Sequence, residues 1–466
     1  MNFVFSQNPK NLTCKSKIMY KYYLIPLFLS CFILISCSKN DNMEPPIYRD
    51  LDLKMDKIAE GYVKLVLNVG LQDTDFVDAY YGPEEWIPKK DSSVIGDSAV
   101  IQNLYSETDN LLDSLESLRN DRASDIQVLR YKYLYKQLLA VKTKLFMIAG
   151  GKLSFDEETK ALYDAEAPHF NNEHFQKILD QLDKILPGKG SDIENRLEEF
   201  KKQFIIPKDK LSEVFNAAIK EARRRTLEHI KLPKNESFKV EYVTNKPWGA
   251  YNWYKGNSFS IIQVNTDLPI YIDRAVDIAC HEGYPGHHVY NTLIENHLYK
   301  ELGWAEFSIY ALFSPQSLIA EGTANYGIDV AFPGRSRITF EKSVLFRLAG
   351  LHPSDADKYY EVLKLTKLLD YATNEAARNY LDGKWTKSET RNWLVKYSLR
   401  SPANAQKTIS FIKKYRSYVI NYNLGKDIVA DYVNRVGGVP ENPQLRWKIF
   451  KHLIITPQTA SNLQKR

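Results

Sequence analysis

Within eight residues, His281-Glu282-Gly283-Tyr284-Pro285-Gly286-His287-His288, the chain places three imidazoles and a carboxylate, and Glu321 follows 34 residues after His287. Neutral imidazoles and carboxylates are what a hydrolytic zinc ion uses as ligands, keeping one position open for water beside a carboxylate that acts as general base. In helical H-E-x-x-H two histidines one turn apart supply two ligands, with the glutamate between them. Here the second histidine arrives too late for that spacing. In an ideal helix, at about 100° and 1.5 Å per residue, His287 would point about 120° away from His281, and His288 would lie about 10 Å along the axis.

Pro285 and Gly286 offer the remedy, because proline cannot continue a helical ladder and glycine accepts backbone angles that other residues avoid. A two-residue bulge would restore an effective one-turn spacing between His281 and His287. His288 then either supports the ligands or faces substrate; a role as ligand in place of His287 is the remaining alternative. A third ligand is expected from a following helix. Ser314-Pro315-Gln316 reads as a helix start, which puts Glu321 inside that helix. The plainer alternative is that Glu321 is an ordinary exposed helix carboxylate.

Amide hydrolysis also needs a donor for the developing oxyanion. Tyr326, Tyr422 and Arg416 are candidates, although in a chain with 30 tyrosines most are packing residues. Cys280, beside His281, invites a reading as nucleophile; a small apolar residue on the buried face of a helix is the expected one. Tyr251, Asn252 and Trp253 could pair with an extended peptide by strand addition, or could simply pack within a sheet.

The elements that must position these residues are mainly helical. Met55, Ile58, Tyr62 and Leu65 recur at three- and four-residue steps, and similar runs span 98–120, 124–149, 174–186, 191–204 and 209–231. Gly150-Gly151, Pro187-Gly188 and Pro207 punctuate them. Between Phe238 and Thr266 the texture changes to β-formers around Lys255-Gly256-Asn257, which predicts a small sheet. Helical patterning then resumes, with runs at 316–330, 354–382, 387–399, 403–418 and 424–436. The expected fold is mainly α, a large helical body with one small sheet just before the metal-binding helix. Its regions are 51–235 (helical), 236–270 (sheet) and 271–466 (helical, carrying the site).

The first residues read as a targeting device. Lys10, Lys15, Lys17 and Lys21 precede an apolar run from Leu24 to Ile35 that ends in Leu34-Ile35-Ser36-Cys37. This resembles the lipobox of bacterial lipoproteins, with residues 1–36 as signal peptide, Cys37 as the lipidated residue and 37–50 as a tether. A run of 12 residues is too short for a transmembrane helix, which needs roughly 20. Without residues 1–36 the chain holds 59 basic against 57 acidic residues, a balance that argues against nucleic acid as a partner. Of the four cysteines only Cys280 then remains beyond the lipid site, so no intramolecular disulfide is expected.

The site residues also resemble a family, the bacterial proteins catalogued as domain of unknown function 885, which look like zinc metallopeptidases with a glutamate as third ligand. Their signature is H-E-x-x-P-G-H-H, preceded by a strand ending in Val-Asn and followed by a helix bearing E-G-x-A-x-Y. Residues 281–288, Val264-Asn265 and Glu321-Gly322-Thr323-Ala324-Asn325-Tyr326 match it. The resemblance implies His281, His287 and Glu321 as zinc ligands and Glu282 as base. Apart from it, His288, Asn325 and Arg416 are expected beside the ligands or facing substrate. Two departures concern substrate contacts: Ile328 stands where many members carry an acid, and Arg416-Ser417-Tyr418-Val419 replaces a Pro-Gly-Gln-Ala stretch.

The expected activity is a zinc-dependent hydrolase, foremost a metallopeptidase acting on peptides or small proteins, anchored by lipid to the bacterial envelope on its periplasmic or outer face. The alternatives are a non-catalytic surface lipoprotein that binds peptide or glycan, and a zinc hydrolase of non-peptide amides.

Overall fold

The first helix, α1 (Pro46–Gln72), shows how the body is built: Leu51, Met55, Ile58, Tyr62, Val66 and Val69 fall on one stripe and are buried. The computed structural model describes residues 46–89, 92–119, 123–189, 192–246 and 248–464. The expected signal peptide, the lipidation site at Cys37 and the tether up to residue 45 lie outside the described residues. The tether was expected to run to residue 50, but helix already begins at Pro46. Among the described residues no helix is long and apolar enough to cross a membrane.

After α1 come β1 (Val77–Tyr80), α2 (Ser98–Glu116), α3 (Asp125–Ile148), α4 (Phe155–Tyr163), α5 (Asn172–Ile185), α6 (Ile193–Lys202) and α7 (Leu211–Leu227). Two of their starts are capped by side chains: Asp97 accepts from the amides of Ala99 and Val100, and Ser154 forms a capping box with Glu157. Next is a sheet of β2 (Ser237–Val243), β3 (Ala250–Tyr254) and β4 (Phe259–Asn265), in the order β2-β4-β3. β2 runs parallel to β4 and β3 antiparallel to it, with Asn252 opposite Ile262. The mainly α architecture and the small sheet stand as the sequence predicts.

The remaining elements are α8 (Asp273–Ile278), α9 (His287–Leu293), β5 (Ile309–Ala311), α10 (Pro315–Ala331), α11 (Arg335–Phe340), α12 (Phe346–Ala349), α13 (Ala356–Lys367), α14 (Tyr371–Leu381), α15 (Lys387–Ser398), α16 (Pro402–Tyr415), α17 (Ile420–Arg435), α18 (Pro443–Ile454) and α19 (Ala460–Gln464). The run expected at 354–382 is two helices, parted at Leu368–Asp370. β1 and β5 form a second, two-stranded antiparallel sheet that periodicity did not reveal, with Ala79 opposite Tyr310. Strands of three and four residues are too short for an alternating pattern to register.

α10 runs through the middle of this body: every residue of it except Asn325 and Asp329 is buried. Its apolar side chains, Leu318, Ile319 and Val330 among them, each contribute about 1.5–3 kcal/mol by burial, enough together to carry one buried carboxylate at a cost of several kcal/mol. α17 crosses α10 at a glycine contact. A Cβ on Gly322 would stand 2.4 Å from the Gly425 carbonyl oxygen, and one on Gly425 would stand 2.6 Å from that of Leu318. Only glycine at both positions lets the two backbones approach this closely, and the approach brings the start of α17 over Glu321.

Candidate metal centre

α8 continues into a wider, π-type turn at Ala279–Gly283, so His281 and Glu282 sit on the last helical turn before the break. Tyr284 is extended, with φ −118° and ψ 112°. Pro285 offers no amide to the ladder, and Gly286 turns the chain back so tightly that a Cβ there would lie 2.0 Å from the His281 carbonyl oxygen. α9 then starts afresh at His287. The helix is therefore interrupted outright, where the sequence suggested a two-residue bulge within one continuous helix. The interruption turns the His287 ring back to face His281.

The two Nε2 atoms stand 3.2 Å apart, and Glu321 Oε2 lies 3.3 Å from His281 Nε2 and 3.7 Å from His287 Nε2. A tetrahedral zinc ion with bonds of about 2.0–2.1 Å has ligand-to-ligand edges of about 3.3 Å. The triangle fits one face of that tetrahedron. Among the described residues Glu321 Oε2 is also buried without a hydrogen bond, facing only the two imidazole nitrogens, an arrangement that a bound cation would satisfy. Glu321 is thus no exposed helix carboxylate.

The supporting bonds fix this face. Asn325, one turn beyond Glu321, holds His281 Nδ1 at 3.1 Å through its Oδ1 and donates from Nδ2 to the Tyr422 carbonyl at 3.1 Å. That contact sets the tautomer that leaves His281 Nε2 free for a metal. Tyr418 donates to Glu321 Oε1 at 2.9 Å, and Asn252 donates to the Glu282 carbonyl at 2.6 Å. Glu282 lines the same cleft as the three donors.

Charge is strongly coupled here. Desolvation would lower the His287 pKa, but the Glu321 carboxylate, with Glu282 and Asp78 behind it, holds it up to about 9 in the metal-free chain. Desolvation opposes ionisation of Glu321 too; His287 and His281 overcome it and hold the carboxylate below its usual range.

Comparison with known proteins adds little. No family model matches the chain, and no curated protein does. Two of the solved structures that resemble it distantly are described as lipoproteins. One, described as a "putative lipoprotein" from Colwellia psychrerythraea, has 13% identity and a TM-score of 0.49, with 85% of this chain and 74% of that one covered. The other, a "putative lipoprotein of unknown function" from Shewanella oneidensis, has 13% identity and a TM-score of 0.43, with 78% and 72% covered.

The other expected site residues divide. Tyr422 lines the cleft, as do Tyr251 and Asn252. His288 does not, and it neither faces substrate nor touches the three donors. It is fully buried, with Nδ1 on Ser260 Oγ at 2.8 Å and Nε2 on Glu236 Oε2 at 3.1 Å, because neighbours at the start of a helix point about 100° apart. Tyr326, five residues beyond Glu321, faces away from the cleft and packs on Phe450. Arg416 is paired with Glu158 at 2.7 Å, outside the cleft. Glu158 also accepts from the amide and hydroxyl of Ser417, so this anchor fixes the segment that delivers Tyr418. Cys280 is buried, and desolvation pushes its thiol well above the ordinary range, which makes it a core residue.

Asp78, Tyr310 and Tyr418 were not singled out by sequence, yet all three line the cleft. Asp78 and Tyr310 arrive on the short β1–β5 pair. Asp78 accepts a hydrogen bond from the Tyr251 hydroxyl. Desolvation pushes it up to about 6, with that hydrogen bond pulling the other way. Desolvation, reinforced by Glu321 and Asp78, holds the Tyr310 phenol protonated and able to donate.

Proposed function

We propose that this chain is a zinc-dependent hydrolase that cleaves peptide bonds, a member of the domain of unknown function 885 group, and held at the bacterial envelope by lipid on Cys37. The observation that carries this reading is the triangle of His281 Nε2, His287 Nε2 and Glu321 Oε2, three donors on three chain segments whose spacing matches a zinc face and whose buried carboxylate oxygen has no other partner among the described residues. The membership rests on the signature residues and the anchor on the lipobox.

His281, His287 and Glu321 would hold the ion. When bound, zinc supplies Lewis acidity to a water molecule and to the substrate carbonyl. The chain's residues do the rest. Glu282 takes the proton of the attacking water; the water oxygen bonds to the carbonyl carbon, the C–N bond breaks, and Glu282 returns the proton to the departing amine nitrogen. Among the cleft phenols, Tyr310 and Tyr422 can donate to the carbonyl oxygen as charge gathers there. Tyr326 and Arg416 have no part in this.

Zinc content and a single substitution test the reading. Purified protein loads about one zinc per chain. Glu282→Gln keeps that zinc while cleavage of a mixed peptide library drops by about 10²–10⁴-fold. A chain that cannot be loaded with zinc, or a Glu282→Gln variant as active as the wild type, overturns it. Zinc-loaded protein that binds peptides without cleaving them would mark a binding lipoprotein instead.

A further inference from the structure

The cleft beside the candidate metal ligands has an uneven chemistry. Its charged lining consists of Asp78, Glu282 and Glu321 with the two histidines, and among the described residues no lysine or arginine lines it. Glu321 is committed to the ligand triangle and Glu282 to proton transfer. Asp78 is left over: it belongs to neither task, it lies close enough to His287, Glu321 and Glu282 to feel their charges, and among the described residues only the Tyr251 hydroxyl donates to it.

Around Asp78 the wall is aromatic. Tyr251 holds Asp78 by its hydroxyl and packs its ring against Trp248 at 5.7 Å between centroids, and both rings line the cleft with Tyr415 and Tyr422. A carboxylate that shares a cleft with aromatic rings is suited to an ammonium group, which gains an ion pair and, where it lies over a ring face, cation–π attraction. The same wall offers nothing to a substrate carboxylate, which would need a fixed cation. With a divalent ion in place and both histidines neutral, the three carboxylates leave the cleft a single net negative charge, complementary to one ammonium.

We propose that Asp78, oriented by Tyr251, binds the free α-amino group of the substrate, so that the site acts on peptides with an unblocked amino terminus. This rests on the hydrolase reading above. Asp78 shares the cleft with the ligand triangle and Glu282, so a peptide with its ammonium on Asp78 has its amino-terminal end beside the groups that carry the chemistry. Carboxyl-terminal recognition has no counterpart in this wall. Asp78 is a specificity-determining residue on this account.

The test compares two probes that differ only in the amino group: the dipeptide amide Phe-Ala-NH2 and its N-acetylated form. With the zinc-loaded full chain at pH 7.5, kcat/KM for the free amine exceeds that for the acetylated form by at least about tenfold, the scale of one charge-assisted contact. The ratio, measured within each protein, collapses toward one in Asp78→Asn, mainly through KM of the free amine. Equal cleavage of both probes, or an unchanged ratio in Asp78→Asn, overturns the assignment while leaving the hydrolase intact. If neither probe is cleaved, calorimetry decides: tighter binding of the free amine by about tenfold, in wild type and in Glu282→Gln, upholds the receptor without the activity, and equal or absent binding overturns it. The wild-type comparison stands even if Asp78→Asn folds poorly.

Discussion

Two buried glutamates in this protein meet histidines from the same short segment, and they are finished differently. Glu236 accepts from Arg223 on Oε1 and from Tyr284 and His288 on Oε2, so both of its oxygens are satisfied. Glu321 accepts from Tyr418 on Oε1, while Oε2 faces two imidazole nitrogens and among the described residues has no hydrogen bond. Both carboxylates are held below their usual range, Glu236 against desolvation by its hydrogen bonds from His288, Tyr284 and Arg223, Glu321 by the charge on His287 and His281. The first cluster is a closed network that specifies packing; the second is an open one that asks for a cation. Adjacent residues, His287 and His288, are split between them.

The widest separation comes from breaking each cluster in turn. Glu236→Ala leaves His288, Tyr284 and Arg223 without their acceptor and costs about 3–5 kcal/mol of stability, while the folded fraction still binds zinc. Glu321→Ala or His281→Ala loses zinc, and with it the rise in melting temperature that saturating metal brings, about 4 kcal/mol at a thousandfold excess over Kd. Thermal melts with and without zinc separate the two. A Glu236→Ala variant that loses zinc as completely as Glu321→Ala would erase the distinction between a packing network and a metal cluster.

Asn325 offers a smaller perturbation of the open cluster. It orients His281 without occupying the donor face, so Asn325→Ala lowers zinc affinity by about 10–100-fold and leaves the ligands in place. Competition with a chromophoric chelator reads this directly. Tyr418→Phe removes one hydrogen bond to Glu321 Oε1, and a loss of about tenfold in affinity is expected. No change in either variant would mean that the face is held by packing alone.

How much of this was legible in the sequence follows the same division. The His281–His288 motif announces itself because ligand chemistry constrains residue types, and ideal helix geometry is enough to show that Pro285 and Gly286 have to break the spacing. Whether they bulge the helix or end it is decided by a glycine with no room for a Cβ, which no spacing rule encodes. The mainly α body and the sheet at Ser237–Asn265 are readable from periodicity. Asp78 and Tyr310 are not, since they reach the cleft on strands too short to carry a pattern. The choice among tyrosines also escapes sequence: Tyr326 shares a motif with Glu321 yet sits five residues along the helix, about 140° off its face, while Tyr418 comes from a segment 97 residues away.

A further effect is a pH dependence confined to the metal-free chain. His287 has its pKa raised from 6.5 to about 9 by Glu321, so its folded form holds a proton more tightly than the unfolded chain does. Such a group adds stability that is complete below about 6.5 and is lost as pH rises through about 9. Glu321, lowered from 4.5, adds stability that is complete above that value and is lost as pH falls below it. The chelated protein therefore melts highest between about pH 4.5 and 6.5 as far as this pair is concerned, and its melting temperature declines toward pH 9. Zinc requires both imidazoles neutral, so the loaded protein shows no such decline over the upper range. Parallel melting curves for chelated and loaded protein from pH 6 to 9.5 would show that Glu321 and His287 are not coupled in the way their 3.7 Å separation implies.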